Sequence, residues 1–288
     1  MGVHAMRKKI AILSLHLGYG GVEKAITSLA NSLAKLDKYD IEIVSVYKLY
    51  EKSVFDIDEK VKVTYLLPSK LSPNRNEWSE ALHNLKLISL GKESLKSLKI
   101  LYKRRKSMIN YIKNSDADVI ISTRVFLNEL LSEYGSDDIL KIGWEHNHYH
   151  DDMKHATDVV RSAKNLDYFV LVSKGLQKFY HKRMRTFKCK CIYIPNAIES
   201  IPKTKSPLTS EHIISVGRLS PEKGYLDLLK IYLDLKNKKC KWHLDIVGDG
   251  TERSRLEKFI KENNLEKDVT LHGFKNSKEI EKLMHKAS

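Results

Sequence analysis

Four short stretches hold the residues whose types and spacing point to chemistry. In Gly217-Arg218-Leu219-Ser220-Pro221-Glu222-Lys223-Gly224, a guanidinium and an ammonium lie close together on a turn that follows a strand and enters a helix. The fork of Arg218 and the point charge of Lys223 suit the oxygens of one anion, and a helix start adds free N–H groups. Gly18-Tyr19-Gly20-Gly21, also between a strand and a helix, offers backbone that a phosphate or sugar can approach closely, although a plain tight turn has the same composition. It has neither the lysine and hydroxyl of a Walker loop nor the spacing of a strict dinucleotide fingerprint. Ile246-Val247-Gly248-Asp249-Gly250 places further glycines at a strand end, the edge where open α/β sheets bind ligands.

The fourth stretch is Trp144-Glu145-His146-Asn147-His148-Tyr149-His150-Asp151-Asp152. Histidines at alternate positions beside two aspartates resemble the H-x-H-x-D pattern of metallohydrolases. The phosphate-type loops and the strand-helix order around them belong to a different chemistry, so no metal and no cofactor are expected. His148 and His150 read as loop residues.

These loops need a scaffold that brings strand ends together. Apolar, β-branched runs at 10–15, 41–46, 61–67, 118–122, 139–144, 168–172 and 191–194 are separated by stretches long enough for helices, which predicts a parallel sheet covered on both faces. A tract rich in proline, lysine and serine at 200–207 reads as a linker. Strands at 212–216, 243–247 and 269–272 then alternate with helices near 224–236, 251–263 and 277–286. The expected architecture is α/β, with a Rossmann-like domain over 7–198 and a second over 199–288. Three strands make about half of a doubly wound sheet, so the second domain is expected to be incomplete.

A basic amphipathic helix is predicted near 92–112. Lys92, Lys96, Lys99, Lys103 and Lys106 recur at helical spacing, and Leu95, Leu98, Leu101, Tyr102, Met108, Ile109 and Ile112 fill the adjacent face. Two readings follow. The apolar stripe lies on the sheet with its lysines in water, or Lys96, Lys99, Lys103 and Arg104 meet an anionic leaflet or a lipid-linked phosphorylated acceptor.

The 288 residues carry a formal net charge of +15, which suits an anionic partner or a solvated lysine-rich surface. No nucleic-acid reader motif is present, so nucleic acid is not an expected partner. Cys189, Cys191 and Cys240 are too few for a disulfide framework and read as reduced thiols. No apolar run reaches the length of a bilayer span, and residues 1–6 read as a leader before a second start. The expected location is the cytoplasm, peripheral at the inner membrane face.

Taken in order, Gly20-Gly21-Val22-Glu23-Lys24, Ile194-Pro195-Asn196, Gly217-Arg218-Leu219 with Glu222-Lys223-Gly224, Val247-Gly248-Asp249-Gly250 and Leu271-His272-Gly273-Phe274 resemble family 4 glycosyltransferases over essentially all of 7–288. The resemblance implies a GT-B architecture, two Rossmann-like domains facing across a cleft, and retaining transfer from a nucleotide-sugar, by family frequency a UDP-sugar, to a glycan or lipid-linked acceptor. It makes Arg218 and Lys223 donor-diphosphate ligands, with Gly217 and Gly248 in the same site and Gly273 and Phe274 near the nucleobase. Gly20 and Gly21 become the first domain's cleft wall, His146 a catalytic residue with Glu145 second, and Asn196 a hinge residue. The sequence also departs from the family. The two glutamates seven residues apart that family members carry further on are absent, which implies little or no turnover by this chain, and the usual Asn-Gly-Ile-Asp is Asn196-Ala197-Ile198-Glu199. Two alternatives stay open: a non-catalytic phosphate- or nucleotide-binding protein, and another GT-B enzyme such as a sugar epimerase or phosphorylase.

Overall fold

The computed structural model describes residues 7–84, 86–147, 152–197 and 205–288. The leader reading at 1–6, His148, His150, the boundary at 198–199 and most of the linker lie outside the described residues. The chain divides into two compact units, Met1–Glu199 and Ser200–Ser288.

Seven strands build the first unit: β1 (Lys8–Ser14), β2 (Tyr39–Ser45), β3 (Val61–Tyr65), β4 (Val119–Ser122), β5 (Leu140–Glu145), β6 (Tyr168–Leu171) and β7 (Lys190–Tyr193). They are all parallel, in the order β3-β2-β1-β4-β5-β6-β7. Alternation explains their continuous apolar character. On β1, Ile10 and Ile12 join one core layer with Ile26 and Ala30 of α1 (Gly21–Ala34), while Ala11 and Leu13 join the other. That second layer holds Leu127, Leu130 and Leu131 of α4 (Val125–Tyr134) and Tyr180 of α6 (Lys174–Arg183). The central strands β1, β4 and β6 are buried on both faces and read as near-continuous hydrophobic runs, while the edge strands β3 and β7 carry exposed Lys62 and Lys190.

The second unit contains β8 (His212–Val216), β9 (His243–Val247) and β10 (Val269–Gly273), parallel in the order β10-β9-β8. This is half of a doubly wound sheet. Leu244 and Ile246 bury one face against Leu229 and Tyr232 of α7 (Tyr225–Asn237) and Leu256 and Ile260 of α8 (Arg253–Glu262). The opposite face carries a polar cluster that the sequence reading did not single out. Asp245 lies 2.8 Å from His212 Nδ1 and 2.6 Å from His272 Nε2. Burial alone would raise the Asp245 pKa, but the histidine hydrogen bonds outweigh it and hold the carboxyl below the usual range.

One expectation about packing is overturned. In α3 (Leu87–Asn114), Ile100, Met108 and Ile112 are buried as expected, whereas Leu95, Leu98, Leu101 and Tyr102 are exposed. The cause is length, since 28 residues extend about 42 Å and overrun the four-residue strand β4. The N-terminal part of α3 packs instead along α2 (Arg75–His83), an element missed because its nine residues are mostly polar.

Candidate functional site

In the first unit the strand order reverses at β1 and β4, and open α/β sheets bind ligands outside the C-terminal strand ends at such a point. The Gly18-to-Gly21 turn leaves β1 there, and Arg124 follows β4. Glu23, in the first turn of α1, is 3% exposed, and its Oε1 takes a 2.6 Å ion pair from Arg124 Nη2, with His16 Nδ1 at 3.7 Å. Burial first, then the charge of Arg124, lowers the His16 pKa, against the pull of Glu23. A side chain on Gly20 would overlap this fixed Glu23 carboxylate, which explains the glycine. Nothing lies within 4 Å of a Cβ at Gly21, so no steric demand sets that residue.

His146 emerges from β5 with its ring 4.2 Å from that of Trp144 and tilted by 48°. Both of its ring nitrogens are buried, and among the described residues neither has a hydrogen-bond partner. Burial, and then the positive charge of Arg124, pushes its pKa down to about 4. The imidazole is therefore neutral at pH 7, with one N–H donor and one acceptor that no described residue satisfies. Glu145 behaves differently from its expected place beside His146. It is 2% exposed, burial raises its pKa, and its Oε1 accepts the Asn147 N–H at 2.8 Å. Its Oε1 thereby fastens the start of the loop that follows β5.

At the second unit's edge the three strand ends are laced through glycines. The Gly217 N–H donates to the Val247 carbonyl at 2.9 Å, and the Gly248 N–H to the Gly273 carbonyl at 2.9 Å. A side chain at Gly248 would overlap the Gly217 carbonyl oxygen, one at Gly217 would come within 2.7 Å of Tyr225 Oη, and Gly248 has φ +145°. Only glycine fits at Gly248. Beyond Gly217, a 3-10 turn at Pro221–Lys223 passes through Gly224, at φ +67°, into α7. Arg218 and Lys223 are exposed on this turn, and among the described residues neither lies within salt-bridge distance of a carboxylate. Glu222 between them is held below the usual carboxylate range, first by the neighbouring Ser220 hydroxyl, with the charges of Arg218 and Lys223 adding to it. Phe274 follows Gly273 and is 58% exposed.

Sequence reasoning missed four residues at these edges: His16, Arg124 and the ion-pair role of Glu23 in the first unit, and Arg253 in the second. Arg253 Nη1 would stand 3.3 Å from a Cβ at Gly273, so a third guanidinium reaches that edge, this one paired with Glu257 at 2.8 Å and Asp249 at 3.8 Å. The available signal was position, since Arg124 directly follows an apolar strand and Arg253 opens a helix. On α3, Lys96, Lys99 and Lys103 are exposed, while Arg104 turns inward with its guanidinium 4.1 Å from the Phe126 ring centroid. Cys189 and Cys191 are buried, and burial raises their thiol pKa values to about 12 and 11. Among the described residues no helix is long and apolar enough to cross a membrane, and no side-chain group is arranged to hold a metal ion.

Residues 196–288 match the family described as glycosyl transferases group 1. The chain is 27% identical over 262 residues to an exopolysaccharide phosphotransferase from Streptomyces coelicolor, a match spanning 88% of this chain and 27% of the relative. It is 25% identical over 267 residues to an uncharacterized glycosyltransferase from Haemophilus influenzae, spanning 91% of this chain and 68% of the relative. Among solved structures, a variant of S. aureus TarM in complex with fondaparinux, α-GlcNAc-glycerol and UDP superposes with a TM-score of 0.68 at 13% identity, over 97% of this chain and 80% of that one. Strand order and these likenesses agree: the chain shares its fold with GT-B glycosyltransferase structures, and its residues 196–288 match the family of glycosyl transferases group 1.

Proposed function

We propose that this chain is the core of a retaining, family 4 glycosyltransferase that moves a sugar from a UDP-sugar to a glycan or lipid-linked acceptor. It acts at the cytoplasmic face of a membrane, as in cell-surface polysaccharide synthesis. One observation carries the reading: among the described residues Arg218 and Lys223 form no salt bridge and share the single carboxylate of Glu222 between them, so this turn keeps a net positive charge beside a row of glycine-laced strand ends. Close backbone approach and a net positive turn are what a diphosphate requires. As the bond from the sugar to the nucleotide breaks, charge develops on the leaving diphosphate, and fixed cations stabilise it there. Lysine and arginine supply that charge, so no metal is required. Gly217, Gly248 and Gly273 keep side chains out of the diphosphate's way, and Phe274 meets the nucleobase. In the first unit, neutral His146 contacts a sugar or acceptor hydroxyl, and Gly20 and Gly21 leave the β1 end open.

The UDP in the TarM complex supports the choice of nucleotide, and the exopolysaccharide relative supports a glycan product. A panel of UDP-, GDP-, ADP- and dTDP-sugars, tested by ligand-observed NMR and then for turnover in the presence of EDTA, checks the reading. Binding of a UDP-sugar that withstands the chelator is expected, with the anomeric configuration retained in any product. Binding of no nucleotide sugar at all would overturn it.

A further inference from the structure

The N-terminal half of α3 is folded inside out. Toward α2 it turns polar groups: Asn74 Nδ2 donates to the Glu93 carboxylate at 2.7 Å, Ser97 Oγ donates to Asn74 Oδ1 at 2.8 Å, and Trp78 Nε1 donates to Ser94 Oγ at 3.0 Å. Toward solvent it turns Leu87, Ile88, Leu95, Leu98 and Tyr102, which are 77%, 91%, 70%, 63% and 64% exposed. A helix that serves only as a surface element of a globular unit has the reverse arrangement. An apolar stripe left in water while hydroxyls and a carboxylate face the protein implies that the outer face meets an apolar phase. Beside the stripe run Lys92, Lys96, Lys99 and Lys103, all exposed. Residues 86–106 hold eight lysines and arginines against one acidic residue, Glu93.

We propose that this stripe seats α3 in the boundary between headgroups and acyl chains of an anionic lipid leaflet, with the adjoining lysines on the lipid phosphates. The helix lies in the interface, since no described helix is long and apolar enough to span a bilayer. Charge selects this occupant over a second copy of the chain, which would set one strongly basic helix against another. The side chains select it over nucleic acid, because the stripe is aliphatic apart from Tyr102 and so provides little for bases to stack on. The inference deepens the membrane-facing reading above and rests on it for purpose, whereas its geometry is independent of the donor site.

Co-flotation with phosphatidylglycerol/phosphatidylcholine vesicles and with pure phosphatidylcholine vesicles tests it, alongside UDP binding for each variant. The unmodified chain is expected to float with anionic vesicles and to detach as salt rises. Leu95→Gln/Leu98→Gln should lower partitioning at low salt by about tenfold or more, and Lys96→Gln/Lys99→Gln/Lys103→Gln should remove the preference for anionic lipid. Both positions of the leucine pair are exposed, so its thermal melt should match the unmodified chain; Leu95→Ala/Leu98→Ala, which keeps helix propensity, serves as a second variant. Unchanged partitioning of both leucine variants would overturn the proposal. So would absence of anionic-vesicle binding, or a stable dimer that the leucine variants dissolve. Loss of UDP binding with vesicle binding intact would count against the donor reading and leave this one standing.

Discussion

The strand-end edges of the two sheets share a scaffold and differ in how their charges are answered. Both begin with the same 3-2-1 order of parallel strands, and both turn from strand to helix through glycine. In the first unit the strand-end guanidinium of Arg124 is matched by buried Glu23 at 2.6 Å, and His146 is held neutral. In the second, Arg218 and Lys223 have no carboxylate within salt-bridge distance among the described residues. A neutralised edge suits uncharged hydroxyls, and an edge with open cations draws an anion. Topology alone does not separate the two edges, whereas the accounting of strand-end charges does.

The largest effect is expected at the glycine lacing. Gly248→Ala drives a methyl into the Gly217 carbonyl oxygen at φ +145°, so overpacking and backbone strain together should cost about 3–5 kcal/mol. Urea unfolding and hydrogen exchange should show the loss in the second unit only. Gly21→Ala, with open space around it, should change stability by less than about 0.5 kcal/mol. Equal behaviour of the two variants would remove the steric account of the second edge.

A pH dependence comes next. The pKa of His146 falls from 6.5 to about 4 on folding, so the unfolded chain binds more protons between those values. The contribution is fully present above pH 6.5 and is lost as pH falls through about 4, amounting to about 3 kcal/mol. His146→Asn should flatten the stability profile over that window, measured by denaturation at successive pH values. A profile as steep as that of the unmodified chain would mean that His146 is solvated.

A somewhat smaller effect belongs to the first unit's ion pair. Arg124→Ala leaves the Glu23 carboxylate buried without its cation, at about 2–3 kcal/mol. Adding Glu23→Gln should recover part of the loss in a double-mutant cycle. Strict additivity of the two changes would show that they do not interact.

Much of this architecture was legible in the sequence. Strands such as β1 and β4 stand out because burial on both faces makes each a near-continuous apolar run, as at Ile10 to Leu13 and Ile120 to Ile121. The glycine loops were legible because close backbone approach leaves few other residues possible. What stayed hidden depends on partners distant in sequence. Glu23 and Arg124 are 101 residues apart, and Asp245 meets His212 and His272 across neighbouring strands. Helical spacing revealed that α3 has two faces but not which one turns inward, because α2, the surface that decides it, has too little apolar pattern to be seen. The burial of Glu145 and its bond to the Asn147 N–H were hidden for a related reason, since neither follows from residue type or spacing.

The contrast between the two edges is tested most directly by calorimetric titration of UDP into four chains: unmodified, Arg218→Ala, Lys223→Ala and Arg124→Ala. Each change in the second unit should weaken UDP by about 1.5–3 kcal/mol, which is about 10- to 150-fold in Kd, while Arg124→Ala should bind as the unmodified chain does. Unchanged affinity in both the Arg218 and Lys223 variants, or an equal loss in Arg124→Ala, would contradict the assignment of the diphosphate to the second unit's open cations.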